Sequence, residues 1–68
     1  DKRTVPILKE ILLKEDSSPP LRALVAQTLG SIGDEDSQKY LLKALNDREI
    51  VVRENVKIAL EEIAAQKG

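Results

Sequence analysis

The chain contains no cysteine, histidine, tryptophan, phenylalanine or methionine, and Tyr40 is its single aromatic residue. Without cysteine no disulfide can staple 68 residues, and without histidine as well the usual zinc sites are out of reach. A core this small is marginal, so stability has to come from regular packing or from neighbours. The same absences remove Ser-His-Asp and Cys-His arrangements, and neither a zinc-protease motif nor a phosphate loop is present. No apolar run approaches the length of a membrane span, and no basic start followed by an apolar block marks a signal peptide. Charge of one sign is missing too: 11 basic and 12 acidic residues, scattered along the chain, leave a net charge of −1. There is no field to draw phosphate backbones or anionic lipid. These exclusions lead to a soluble, cytoplasmic chain with no cofactor, nucleic-acid or membrane partner.

What the sequence does have is a repeat. Residues 21–33, LRALVAQTLGSIG, return 31 positions later as VRENVKIALEEIA over 52–64. The register keeps Arg22 with Arg53, Val25 with Val56, Leu29 with Leu60 and Ile32 with Ile63. A period of this length signals stacked helical units. With Pro, Gly, Asp and Ser as punctuation, four helices are predicted, over 5–14, from 19 to a stop at Gly33, from 37 to 46, and over 50–66. Their inward stripes are Val5, Leu8, Ile11 and Leu12; Leu21, Leu24, Val25, Thr28, Leu29 and Ile32; Tyr40, Leu41, Ala44 and Leu45; and Val52, Val56, Ala59, Leu60, Ile63 and Ala64. Short connections make consecutive helices antiparallel neighbours. The expected fold class is all-α, an α-solenoid fragment of two antiparallel helical hairpins forming one domain over 1–68, with repeat one at 4–33 and repeat two at 34–66. The first and third helices match at an offset of 33, and the turn between 14 and 20 absorbs the two extra residues.

Val5-Pro6-Ile7-Leu8, Asp16 six residues before Arg22, Asp47 six before Arg53, and Leu29-Gly30-Ser31-Ile32-Gly33-Asp34 together resemble two tandem HEAT repeats. The resemblance is to the short type of bacterial and archaeal arrays and phycobilin lyase subunits, and it covers nearly the whole chain. It implies that Asp16, Arg22, Asp47 and Arg53 form a structural ladder between adjacent repeats, and that the second and fourth helices line a concave surface. A guanidinium one turn into a helix can reach turn carbonyls and a carboxylate together, which suits that role. Some proteins of this architecture are enzymes. The iron-dependent hydroxylases among them need repeated His-Glu pairs, and the DNA glycosylase type needs aromatic residues over a basic cleft; neither set is present.

Candidate binding positions follow from the same frame. Ala23, Ala26, Gln27 and Gly30, with their counterparts Glu54, Lys57 and Glu61, form the expected concave partner face. Val51, Ile58 and Ala65 recur every seven residues away from the main stripe and suggest stacking of a further repeat or self-association through the fourth helix. Asp34, Glu35 and Asp36 read as a helix cap rather than a cation site. The expected function is a non-enzymatic protein-interaction or scaffold module, cut from a longer array, with a protein partner. The alternative is an accessory segment of a larger enzyme such as a phycobilin lyase subunit.

Overall fold

A computed structural model describes residues 4–14 and 16–67. Four helices follow one another: α1 (Thr4–Leu13), α2 (Pro19–Ile32), α3 (Glu35–Ala44) and α4 (Ile50–Lys67), and no strand occurs among the described residues. The ends are set by local chemistry. Ser18 is extended and its hydroxyl accepts the Leu21 amide at 3.4 Å, while Pro19 and Pro20 occupy first-turn positions that need no amide. Gly33 closes α2 at φ 68°, a left-handed conformation in which glycine carries no Cβ penalty, and its amide returns to the Leu29 carbonyl at 2.9 Å. Asp34 then caps α3 through the Ser37 amide at 2.7 Å.

α3 ends two residues earlier than its apolar pattern predicts. The amides of Leu45, Asn46 and Asp47 fold back on the carbonyls of Leu42, Lys43 and Ala44, a tighter turn that consumes the last free carbonyls of the helix. That turn delivers Asp47 to the mouth of the next helix.

Packing places α2 against α4 as the principal contact, with α1 and α3 forming a second layer over them. Leu12, Val25, Ala26, Leu29, Leu41, Ala44, Val52, Val56, Ala59 and Ile63 make one continuous core. The expected stripes of α3 and α4 fit this core, except that Tyr40, Leu45 and Leu60 lie at its edge and Ala64 is exposed. In α1, Leu12 is buried and Leu8 and Ile11 are partly so, while the side chain of Val5 lies outside the described residues.

The stripe of α2 is turned. Leu21, Leu24 and Ile32 stand 42%, 57% and 41% exposed, and the buried residues are Arg22, Ala23, Val25, Ala26, Leu29 and Gly30. The reason is the closeness of α4: it is the principal neighbour of α2 and approaches it to backbone distance at Gly30 and Ala59, so the small residues of α2 turn into the contact and its large ones turn out. Gly30 marks the point of closest approach, where a Cβ would stand 2.7 Å from Ala59 Cβ and 2.9 Å from Ala59 Cα.

Gly30→Ala therefore opposes two effects. Alanine gains about 1 kcal/mol of helix propensity, whereas forcing a methyl into packed backbone costs about 1–3 kcal/mol. With Ala59 backbone as the obstacle the clash prevails. Urea unfolding is expected to show a net loss of about 1 kcal/mol, and an unchanged midpoint would place the helices farther apart than described.

Candidate functional site

Arg22 lies on the second turn of α2 with only 3% of its side chain exposed, so its charge must be paired within the fold. Its Nε donates to Asp47 Oδ2 at 2.9 Å and its Nη2 to Asp47 Oδ1 at 3.2 Å, a two-pronged bond from the first helical pair to the second. Nη1 donates to the Ser17 carbonyl. Asp47 is held in turn: Oδ1 accepts the Glu49 amide at 2.9 Å, and its main-chain carbonyl accepts Arg53 Nη1 at 2.7 Å. One residue thus receives both arginines. Burial by itself would push the Asp47 carboxyl up. The Arg22 hydrogen bonds, the Glu49 amide and the charges of Arg22 and Arg48 outweigh that burial and hold the carboxyl below its ordinary value of 3.8.

The expected ladder residues are therefore distributed unevenly. Arg22 and Asp47 meet side chain to side chain, Arg53 reaches only the Asp47 backbone, and Asp16 is exposed in the first turn and takes no part. The Ser17 carbonyl, which had no signal in the sequence, completes the set.

The expected concave face divides as well. Ala23, Ala26 and Gly30 are buried between helices and offer no surface to a partner, a correction that follows from the rotation of α2. Gln27, Glu54, Lys57 and Glu61 are exposed, and Gln27 Nε2 donates to Asn55 Oδ1 at 2.9 Å to tie α2 to α4 at the surface. Val51 and Ile58 are 44% and 54% exposed, and Ala65 is exposed beyond them. Tyr40 is partly buried on the core with Lys9 Nζ 5.1 Å from its ring centre, the geometry of a packing residue with a cation over its face. A shallow cavity of about 220 Å³ opens beside the clamp, walled by Lys14, Lys43 and Arg48 over a Leu12 and Ala44 floor.

Among the described residues no arrangement resembles an acid-base or nucleophilic centre. Among the described residues no three His, Cys, Asp or Glu side chains gather where an ion could sit, and Asp34 is engaged as a helix cap. The His-Glu pairs implied for iron-dependent hydroxylases of this architecture cannot be formed, so the residues present do not fit such a metal. No helix among the described residues is long and apolar enough to cross a membrane.

Comparison with known proteins adds what geometry does not. Residues 1–67 match the family model of HEAT repeats. The chain is 44% identical over 59 residues to a deoxyhypusine hydroxylase of Neurospora crassa, covering 85% of this chain and 18% of that protein. It is 42% identical over 57 residues to the deoxyhypusine hydroxylase of Eremothecium gossypii, covering 84% and 18%, and 38% identical over 66 residues to that of Chaetomium globosum, covering 96% and 19%. The chain thus spans about a fifth of the length of these relatives. No solved structure matches it significantly. These relatives overturn the expectation of a non-enzymatic interaction or scaffold module, because the proteins most of this chain resembles bear the name of an enzyme. They give no support to a phycobilin lyase accessory either.

The two arginines should separate in a thermal or urea melt. Arg22→Ala leaves the Asp47 carboxylate without its buried partner and is expected to cost about 3 kcal/mol. Arg53→Ala forfeits one hydrogen bond at a partly buried position, about 1 kcal/mol. Equal losses would refute the uneven clamp. Because the Asp47 carboxyl is held low in the fold, its contribution is complete above pH 3.8 and is lost as pH falls through the lower folded value. Acid titration of stability should accordingly fall more steeply for the native chain than for Asp47→Asn.

Proposed function

The chain belongs to the HEAT-repeat family, and we propose that it serves as a repeat segment of a hydroxylase of the deoxyhypusine hydroxylase kind. The observation that carries this reading is identity of 38–44% to proteins of that name across 84–96% of the chain. Within such a protein the part of these residues is to hold register. The Arg22–Asp47 bond joins one helical pair to the next, and the Gly30–Ala59 contact sets their spacing, so side chains mounted on other repeats are presented at fixed positions. Donors for oxidative chemistry lie outside these residues, since nothing in the set fits a redox metal.

The protein that carries this chain, incubated with a deoxyhypusine-bearing protein, is expected to add one oxygen atom to that residue, read by the mass of the substrate peptide. Arg22→Ala should lower the turnover of that protein through loss of folded enzyme rather than through a changed KM. Failure of the folded native protein to add oxygen, under conditions in which the Neurospora crassa enzyme does so, would reject the reading.

A further inference from the structure

Charge is balanced along the sequence but not around the clamp. Four of the 11 basic residues, Lys14, Arg22, Lys43 and Arg48, line the cavity of about 220 Å³ beside it, and Asp47 is the single carboxylate among the lining residues. That carboxylate is spent on Arg22, whose Nε and Nη2 donate to it at 2.9 and 3.2 Å, so the pair brings no net charge to the wall. Lys14, Lys43 and Arg48 remain. Among the described residues none of the three makes an ion pair or a side-chain hydrogen bond.

Cations near helix C-termini ordinarily answer the helix dipole, and Lys14 and Lys43 do stand at the ends of α1 and α3. Much of that demand is already met by the backbone. The carbonyls of Leu42, Lys43 and Ala44 accept the amides of Leu45, Asn46 and Asp47, and those of Ile11 and Lys14 accept the amides of Lys14 and Ser17. The dipole accounts neither for Arg48, which lies beyond α3 in the turn to α4, nor for the convergence of all three cations on one cavity. Both helical pairs contribute to it, Leu12, Leu13 and Lys14 from the first and Lys43, Ala44 and Arg48 from the second. Leu12 and Ala44 are buried beneath it, and Leu13 is 37% exposed at its wall. Charges of one sign over an apolar floor focus their field on what enters.

We infer that this cavity binds a phosphomonoester, with Lys14, Lys43 and Arg48 around the phosphate and the leucine and alanine floor under the organic group it carries. A phosphomonoester brings nearly two negative charges at neutral pH, which answers three cations better than the single charge of a carboxylate. Lysine supplies compact positive charge and arginine a planar fork, both suited to phosphate oxygens. Pockets for drug-sized ligands run from about 300 to 1,000 Å³, so this one holds a smaller body. That body is a free phosphomonoester or one phosphorylated side chain of another protein. In either form it touches both helical pairs, adding a contact across them beside the Arg22–Asp47 bond. The inference is independent of the hydroxylase reading, since its readout needs no turnover.

Calorimetric titration of the full protein with phenyl phosphate at low ionic strength tests it. Lys14→Gln combined with Arg48→Gln is expected to weaken binding at least about tenfold. Lys39→Gln combined with Lys57→Gln removes the same charge outside the cavity and should change it by less than about twofold. All four positions are exposed, so circular dichroism should report intact folding in both variants. Benzoate should bind at least about tenfold more weakly than phenyl phosphate. No binding to the native protein, or equal losses in the two double variants, would overturn the site. Benzoate binding as tightly as phenyl phosphate would overturn the phosphomonoester assignment. A phosphotyrosyl peptide with uncharged flanks separates the sources: affinity well above that of phenyl phosphate makes a protein side chain the ligand, and equal affinity makes it a free phosphomonoester. Peptide binding that survives Lys14→Gln with Arg48→Gln would equally overturn the inference.

Discussion

Everything in this small fold is arranged around one buried guanidinium. Arg22 cannot be taken out of water unless a carboxylate and a carbonyl meet it, and among the described residues the carboxylate that does so belongs to the other helical pair. Asp47 can meet it because α3 finishes in a tight turn whose amides use up the helix's own carbonyls, carrying the chain back toward α2. The clamp and the glycine contact then act together. Gly30 lets α2 and α4 approach to backbone distance, and the Arg22–Asp47 bond selects the register at which they do so. With neither disulfide nor metal available, this pairing does what a covalent or coordinate staple does in other domains of this size.

Much of this was legible in the residues. The four helices, the stop at Gly33 and the cap at Asp34 follow from local chemistry that a sequence states directly, and the stripe of α4 follows from its period. The stripe of α2 was not legible. An apolar count favours Leu21, Leu24 and Ile32 as buried, because hydrophobicity records which side chains prefer the interior but not how closely a neighbouring helix will approach. The close contact with α4 reversed that preference, and Ala23, Ala26 and Gly30 took the inside. The arginine device was half legible: spacing selected Arg22 and Asp47, but which arginine would find a carboxylate depends on the stacking of one repeat on the next, a relation no single repeat contains.

Function shows the sharper limit. Histidine and cysteine are missing and no catalytic motif is present, and this invited a scaffold; the relatives instead carry the name of an enzyme while being some five times longer than the matched segment. The two facts are compatible in a repeat protein, where architecture is shared by every unit and chemistry is carried by some of them. Under the proposed function, a unit devoted to register is part of the enzyme whose geometry it maintains.

The central claim is that Arg22 and Asp47 couple the two helical pairs rather than stabilising each locally. A double-mutant cycle with Arg22→Ala, Asp47→Ala and the pair, read by urea unfolding, measures that coupling directly. A coupling energy of about 2 kcal/mol is expected for a buried two-pronged bond. Additivity to within about 0.5 kcal/mol would contradict the account, for it would mean that each residue stabilises its own repeat and that the bond between them holds nothing together.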